Sequence, residues 1–531
     1  MKGFRLVGLA VASLMFGPDA VARADPRYDL LIKGGLVFDG SLNAPVIADV
    51  AVTGDQIVLV GTASEEAFAA RVIEAKGLWV TPGFIDPHTH YLSDLTSEKA
   101  EERAVAAALL QGVTTVFVGN DGTSSSKGIG ASFAKARAEG IGPNMASYLG
   151  FGTVRRAVVG LADRPATEAE MDEMTAMVRA AMCEGAIGLS TGLFYAPQSY
   201  APTQEVIALA QEVQRHGGIY DTHLRDESSY GIGLKAAVAE ALDIGRATGV
   251  PVHIAHIKAL GVDVHGMAAE VIAQIEAAQG EGLSVHADQY PWEASGTSLA
   301  AALLPRWAQA DGRRAMVARL DHAEQGPRVR AEMADNMRRR GGAEALLLTA
   351  GAPAEVRGKT LAEAAAHWGT DPIEAAVLIL KRGGSSIASF NQTEADIAAF
   401  MVQPWVMTSS DASGGHPRKY ASFARLYDHY VKGEGVLSAA QFVHRSTART
   451  AQAFGLEGRG RLQAGAFADI AVFDPEGFAP KATYVEPEKP AVGMTYVVVN
   501  GQLVVSEGGM QDRLAGKPLP RGSKLGCLPA L

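Results

Sequence analysis

Residues with the chemistry of metal ligands end four apolar runs of the sequence. His88 and His90 end the run LWVTPGFIDPHTH, His223 follows GGIYDT, His256 follows VPVHIA, and Asp411 ends WVMTSSD. Side chains two residues apart on a β-strand point to the same face, so His88 and His90 can bind one ion together. Imidazole and carboxylate ligands gathered at strand ends are typical of the metal sites of parallel β/α barrels. The order and placement of these residues therefore predict a metal site, although a single buried histidine is more often a core residue.

The sequence around these residues alternates strand-like apolar runs with segments that have the pattern of amphipathic helices. This alternation is typical of a parallel sheet with crossover helices. The eight predicted strands are 79–85, 114–118, 145–151, 187–190, 219–222, 252–255, 284–289 and 406–409. We therefore predict an α/β fold with a (β/α)8 TIM-type barrel over 81–459. The long connection between strands seven and eight, about 292–400, is a predicted insertion that could form a lid or substrate wall.

Both ends of the chain are rich in short β-strand patterns. YDLLIKGGLVFDG and ADVAVTGDQIVLVG lie near the N-terminus, and MTYVVVNGQLVVSEGG near the C-terminus contains an Asn-Gly turn. These patterns predict a small β-sandwich domain built from both termini, over 25–80 and 460–531.

The first 24 residues have the layout of a secretory signal peptide. Lys2 and Arg5 precede an apolar run at 6–16, and Ala-Arg-Ala at 22–24 is a small-x-small cleavage site before Asp25. The apolar run is too short for an ordinary membrane span, and an uncleaved anchor is the alternative. Since no later segment has the pattern of a transmembrane helix, we expect an exported protein in a bacterial periplasm.

Composition limits the partners and the cysteine chemistry. The net charge of −10 and the lack of a basic tract argue against nucleic acid as a partner. Cys183 and Cys527 are too few for a disulfide framework or a thiolate metal cluster, and one bridge between them is left open. The oligomeric state is also left open.

A further carboxylate follows the second predicted strand. Asp121 lies in the turn Val-Gly-Asn-Asp-Gly at 118–122, at the same edge of the barrel as the histidines. A lone carboxylate in such a turn is usually a turn former. The fourth predicted strand runs into Ser190 and Thr191 and offers no lysine that could be carbamylated to bridge two metals.

Several segments resemble the D-aminoacylases, the N-acyl-D-amino-acid deacylases of the amidohydrolase superfamily. They are PGFIDPHTH, GVTTVFVGN, EGAIGLSTGLFYAP, THLRDES, HIAHIKALG, DQYPW and SSDASGGHPR. The similarity covers nearly the whole chain after the signal segment. The histidine pair is shared by the whole superfamily, whereas the segments with Lys258, Tyr290 and HPR are more specific to the D-aminoacylases. The resemblance implies a zinc hydrolase that cleaves the amide bond of N-acyl-D-amino acids and releases a free D-amino acid.

One departure from this family concerns a metal ligand. The family turn after strand two reads Gly-Asn-Cys-Gly, and its cysteine binds zinc, whereas Asp121 stands at that position here. The resemblance implies that Asp121 is a ligand, but carboxylate oxygen is a harder donor than thiolate. We expect one or two zinc ions, with weaker binding than in the family or with Mn²⁺ or Co²⁺ as alternatives.

The predicted roles follow from metal-assisted hydrolysis. One ion is expected at Asp121, His223 and His256, and a second position at His88, His90 and Asp411. Asp411 is the predicted catalytic residue, first a general base toward water and then a general acid toward the leaving amine.

The substrate needs a cation for its free carboxylate. Arg418, seven residues after Asp411, can form a bidentate contact with it. The resemblance assigns Lys258 and Tyr290 to the same carboxylate, and Tyr195 is predicted to line the pocket.

Three alternatives stay open from the sequence. An exported dipeptidase or another amidohydrolase acting on peptides would also use Arg418 and Lys258. A hydrolase of cyclic amides is a second alternative, and the missing lysine on strand four counts against it. A non-catalytic metal- or ligand-binding relative is the third, and Asp411 counts against it because a binding site needs no proton carrier.

Overall fold

Eight parallel strands form the barrel at the centre of the molecule. The computed structural model describes residues 1, 28–64, 67–522 and 527, so the predicted signal segment lies outside the described residues except for Met1. The strands are Phe84–Asp86, Val113–Val118, Asn144–Ser147 with Leu149–Gly150, Gly188–Gly192, Ile219–His223, Val252–Ile254, Val285–Gln289 and Val406–Thr408. They pair in chain order, and a parallel bridge between Thr89 and Ala412 joins the first strand end to the last. Nearly every residue of these strands is buried, which explains why they appear as apolar runs.

Two of the predicted strands are divided in the structure. The predicted strand 79–85 consists of Trp79–Pro82, which pairs in a separate sheet, and Phe84–Asp86, which begins the barrel. Gly83 lies between them, where an added Cβ would be only 2.2 Å from Thr114 Oγ1. The predicted strand 145–151 ends earlier, because Phe151 begins a helix. An apolar run does not show where the chain leaves one sheet for another element.

Helices surround the barrel and follow its strands. They are Leu92–Leu95, Ala100–Arg103, Ala106–Leu109, Ile129–Glu139, Phe151–Val158, Glu168–Cys183, Thr203–Arg215, Leu234–Thr248, Ala268–Gly280, Arg418–Arg425, Ala439–Ser446 and Ala448–Phe454. Their buried faces pack on the barrel strands in one large core that includes Val178, Leu209 and Ile275. Among the described residues, no helix is long and apolar enough to cross a bilayer.

The segment between the seventh and eighth barrel strands folds around a core of its own. Its antiparallel sheet consists of Ala294–Ser298, Leu346–Leu348 and Ser386–Phe390. Its helices are Leu299–Leu303, Gly312–Asp321, Gln325–Arg339, Leu361–Trp368, Pro372–Lys381 and Glu394–Met401. Leu303, Leu348 and Ile379 are among its buried core residues. These elements lie within the predicted insertion and place the sheet beside the barrel mouth.

A nine-stranded sheet combines the two ends of the described chain into the β-sandwich domain. Its strands are Tyr28–Val37, Val46–Thr53, Gln56–Gly61, Ala69–Glu74, Trp79–Pro82, Ile470–Phe473, Met494–Val499, Gln502–Ser506 and Gly509–Met510. Trp79–Pro82 pairs antiparallel with Ile470–Phe473, so the N-terminal and C-terminal strands share one sheet. Ile32, Val50 and Val472 lie in its separate core.

The C-terminal segment returns to the barrel and is fixed there covalently. Backbone bridges join Ile141 to Gly516 and Met145 to Pro518. Cys527 forms a disulfide with Cys183 at the end of the helix Glu168–Cys183, with 5.6 Å between the Cα atoms. The bridge that the sequence left open is therefore present.

Candidate metal centre and substrate cavity

The structure brings all six predicted metal ligands to one end of the barrel. His88 and His90 follow the first strand, His223 ends the fifth, His256 follows the sixth, and Asp411 follows the eighth. Asp121 lies in the turn Asn120–Gly122 after the second strand. These are the carboxyl ends of the parallel strands, where barrel enzymes place their catalytic groups.

Asp121 lies at the centre of this group. Its Oδ1 is 3.5 Å from His88 Nε2, 3.4 Å from His256 Nε2 and 3.7 Å from His223 Nδ1. Its Oδ2 is 3.6 Å from His90 Nε2. The carboxylate thus faces both histidine groups and would contribute to an ion held by either of them.

The potential ligand atoms form two overlapping sets. One set contains His88, His90, Asp121 and Asp411, and the other contains Asp121, His223 and His256; within each set the ligand atoms lie within 4.8 Å of one another. Both ring nitrogens of His88, Oδ1 of Asp121 and Nε2 of His223 are buried without a hydrogen-bond partner. Buried polar atoms normally have partners, and this donor set fits divalent cations such as zinc.

Three of the six residues have a left-handed backbone. The φ angles are 55° at Asp121, 35° at His256 and 47° at Asp411. Such angles are costly for residues other than glycine and are concentrated at functional sites. The fold around them therefore maintains a strained backbone that points these side chains toward one point.

The electrostatics of the site favour bound positive charge. Burial opposes the charged form of Asp121, but the imidazoles of His88 and His256 hold its pKa well below the usual range. Burial also opposes protonation of His88, yet Asp121, Asp288 and Asp411 raise its pKa to about 10. Burial lowers the pKa of His223 to about 4, so this ring is neutral at pH 7 and ready to be a ligand.

Two buried carboxylates that the sequence analysis did not assign support the histidines. Glu227 Oε1 lies 3.2 Å from His256 Nδ1, which is also 2.7 Å from Lys258 Nζ. Asp288 Oδ2 lies 3.8 Å from His88 Nδ1, beyond hydrogen-bond distance, so its effect on that ring is electrostatic. A neutral imidazole that binds a metal through Nε2 carries its proton on Nδ1, and a carboxylate is the usual acceptor for it. Glu227 lies in the motif THLRDES and Asp288 in DQYPW. The spacing of four residues between His223 and Glu227 could have identified Glu227 from the sequence.

Asp411 lies between a histidine and an arginine. Its Oδ1 is 3.0 Å from His90 Nε2, and its Oδ2 is 2.7 Å from Arg418 Nη1. Although burial opposes ionisation, Arg418, His90 and the neighbouring imidazoles lower the pKa of Asp411 strongly. The carboxylate is therefore ionised and able to accept a proton.

The four predicted substrate-binding residues line the same cavity as the predicted ligands other than His88. The cavity is about 530 Å³. Arg418 is 2% exposed, its Cζ lies 5.2 Å from the ring centre of Tyr290, and its Nε has no hydrogen-bond partner. Lys258 Nζ donates to Glu227 Oε1 at 2.6 Å, and the ring of Tyr195 lies 4.8 Å from that of His223. Strand Ala294–Ser298 of the insertion forms one wall.

Comparison with known proteins gives a consistent result. The profile of the Amidohydrolase family matches residues 71–505. The chain is 33% identical to the D-aminoacylase of Alcaligenes xylosoxydans xylosoxydans over 521 residues, which cover 93% of this chain and 98% of that protein.

Solved structures extend this similarity to three dimensions. A D-aminoacylase described with a binuclear metal centre has a TM-score of 0.79 and 30% identity, and the match covers 93% of this chain and 100% of that chain. The N-acyl-D-glutamate deacylase of Bordetella bronchiseptica, solved with zinc and a phosphonate inhibitor, has a TM-score of 0.78 and 29% identity over 93% of this chain and 99% of its own. The chain belongs to the amidohydrolase family and, within it, to the D-aminoacylase group.

Proposed function

We propose that this protein hydrolyses the amide bond of N-acyl-D-amino acids and releases a carboxylate and a free D-amino acid. The observation that supports this most directly is the position of Asp411 between the ligand histidines and Arg418 in one cavity. The relatives with near-complete coverage that are named for this reaction support the amide bond and the D configuration.

The metal supplies the electrophilic chemistry of this reaction. Asp121, His223 and His256 would hold one ion, and His88, His90 and Asp411 would complete a second position with Asp121. A bound divalent ion lowers the pKa of water and polarises a carbonyl group. We propose zinc, because histidine and carboxylate suit it and a relative is described with zinc. Since Asp121 is a hard ligand, Mn²⁺ and Co²⁺ are expected to support activity as well.

Asp411 moves the proton during hydrolysis. Its carboxylate accepts a proton from the attacking water as the new C–O bond forms, and it then delivers that proton to the amide nitrogen as the C–N bond breaks. Its position among the ligand histidines supports this role. His90 and Arg418 hold the carboxylate in place and keep it ionised before the reaction.

The basic residues of the cavity bind the α-carboxylate. Arg418 lies beside Tyr290 with Nη1 facing Asp411 and Nη2 donating to Ser413 Oγ, so its free Nε would donate to an oxygen of the substrate carboxylate. Lys258 lies 5.6 Å from the same ring and adds positive charge. This arrangement requires a substrate with a free carboxylate next to the scissile amide.

We also propose that the protein is exported. The signal-like N-terminal segment supports this, and the disulfide between Cys183 and Cys527 fits an oxidising compartment such as the bacterial periplasm. Fusion of residues 1–30 to a reporter that is active only outside the cytoplasm tests export.

The alternatives are less well supported. The fourth barrel strand, Gly188–Gly192, carries no lysine for the carbamate that bridges metals in many cyclic-amide hydrolases. The relatives at about 30% identity over nearly the whole chain are named D-aminoacylase or N-acyl-D-amino-acid deacylase, which argues against a dipeptidase and against a protein that only binds metal.

A substrate screen tests the proposal. Matched N-acetyl-D- and N-acetyl-L-amino acids are incubated with the enzyme loaded with zinc, manganese or cobalt, and the free amino group is measured. Hydrolysis of D-substrates that a chelator abolishes is the expected result. Hydrolysis of L-substrates alone, or of none with any metal, would contradict the proposal.

A further inference from the structure

A buried arginine on the cavity wall has no role in the proposed reaction. Arg340 follows the helix Gln325–Arg339 of the insertion, is 1% exposed and lines the cavity. Its Nε donates to the hydroxyl of Tyr230, and Nη1 reaches Oδ1 of Asn391 at 3.2 Å when that amide is oriented to accept. Both partners are neutral.

Arg156 also lines the cavity but is exposed, and the two other buried cations of the lining differ from Arg340 in this respect. Arg418 faces Asp411 at 2.7 Å, and Lys258 faces Glu227 at 2.6 Å. Among the described residues, no carboxylate oxygen lies within the 4.0 Å ion-pair limit of the Arg340 guanidinium. A buried charge without a counter-ion is costly unless something compensates for it.

Neighbouring residues increase this positive charge. The Cζ atoms of Arg306, Arg339 and Arg340 lie 5.7, 5.8 and 5.6 Å from the ring centre of Tyr230. Arg306 also stacks on Phe194, a cavity residue, and its Nη2 is buried without a hydrogen-bond partner. Three guanidinium groups therefore surround one tyrosine at the wall of the cavity, and only Arg340 among them lines it.

We infer that Arg340 forms a second anion subsite, which binds a second carboxylate of the substrate. The inference rests on the proposed function, since the α-carboxylate already occupies Arg418. The enzyme is then selective for dicarboxylic substrates, in which the second carboxylate belongs to the side chain of the amino acid or to the acyl group. A guanidinium fork suits a carboxylate at either place.

Isosteric substrate pairs test the inference in the metal-loaded enzyme. N-acetyl-D-glutamate is compared with N-acetyl-D-glutamine, and N-succinyl-D-leucine with N-succinamoyl-D-leucine. A charge-assisted contact corresponds to a preference of about 10- to 100-fold in kcat/KM for the charged member of one pair. The pair that shows the preference identifies the source of the carboxylate.

Variants connect the preference to Arg340. R340Q should reduce the ratio of kcat/KM within that pair to about one, and R340K should retain part of it. R339Q is the matched control. It also removes one positive charge beside Tyr230, but Arg339 does not line the cavity, so this variant should keep the wild-type ratio of kcat/KM. A ratio near one for both pairs in the wild type, or an unchanged ratio in R340Q, would overturn the inference.

A binding measurement separates this inference from the proposed function. Calorimetry of D-glutamate against D-glutamine, or of succinate against succinamate, reports the subsite without turnover. Tighter binding of the charged member that is lost in R340Q supports the subsite even if no amide is hydrolysed. Hydrolysis of neutral N-acyl-D-amino acids with no binding preference supports the proposed function and rejects the subsite.

Discussion

Asp121 Oδ1 lies 3.4 Å from Nε2 of His256, and both residues have a left-handed backbone. Each comes from a different barrel strand, so the fold maintains two strained turns whose side chains meet. The contact involves the position at which the family resemblance implies a cysteine and this chain has Asp121. The identity of the side chain at 121 should therefore determine how tightly the metal binds.

Substitution of Asp121 tests this dependence. D121N tolerates the left-handed backbone as aspartate does but removes the charge, so zinc affinity should fall by about 10-fold or more. D121C supplies a thiolate and should bind zinc more tightly than the wild type. Zinc competition with a fluorescent chelator measures both. Equal zinc affinity in all three proteins would exclude Asp121 as a ligand.

Asp411→Asn tests proton transfer. The amide cannot accept a proton from water, and general acid–base catalysis typically contributes about 10²–10⁴-fold, so kcat should fall by at least about 100-fold. The ligand set of Asp121, His223 and His256 remains, and metal analysis should still find an ion in the variant. A kcat within about threefold of the wild type would show that Asp411 does not transfer the proton.

The sequence predicted the parts of this site that depend on period and order. His88 and His90 were predicted from their two-residue spacing at the end of an apolar run, although the strand Phe84–Asp86 ends before them, and Asp411 was predicted from its place after another such run. Glu227 and Arg340 could not be predicted in the same way. Glu227 reaches the site from a loop after His223, and Arg340 reaches it from an insertion more than a hundred residues long, where neither spacing nor periodicity fixes a position in space. The fold class follows from alternating elements, whereas the division at Gly83 depends on contacts between two sheets.

Glu227→Gln tests the support of His256 and Lys258. The variant leaves the Lys258 ammonium, 4% exposed, without a counter-ion, and removal of one partner of a buried pair costs about 3–5 kcal/mol of unfolding free energy. Metal affinity should also fall by about 10- to 100-fold, because Glu227 lies beside His256 and holds Lys258, which contacts His256 Nδ1 at 2.7 Å. Denaturant unfolding and metal titration measure the two effects.

A matched control distinguishes the two roles of Glu227. Glu240 forms a similar, largely buried pair with Arg225, away from the ligands. E240Q should lower stability with wild-type metal affinity. If E227Q and E240Q have the same metal affinity, Glu227 has only a structural role.

Substitution of Arg418 has two expected effects. R418A loses the charge-assisted contact with the substrate carboxylate, so kcat/KM should fall by about 10- to 100-fold, equivalent to about 1.5–3 kcal/mol. Arg418 also lowers the pKa of Asp411, so its removal raises that pKa and moves the acidic limb of the pH–rate profile to higher pH. Steady-state kinetics across pH measure both, and K419A is the control for loss of a neighbouring charge. An unchanged kcat/KM in R418A would show that Arg418 does not bind the substrate carboxylate.

The disulfide should stabilise the fold without affecting the chemistry. It joins residues 344 apart in the sequence and fixes the C-terminal segment to the helix that precedes the fourth barrel strand. Closing such a long loop restricts the unfolded chain, and a native disulfide typically contributes about 2–4 kcal/mol. Reductant should therefore lower the Tm of the wild type but not that of C183S/C527S, which contains no cysteine. Two free thiols in the native protein, or an equal response of both proteins to reductant, would contradict this prediction. Cys183 precedes the start of the strand Gly188–Gly192, whereas the ligands lie at the carboxyl ends of the barrel strands, so kcat/KM at temperatures well below the Tm should be the same in both proteins.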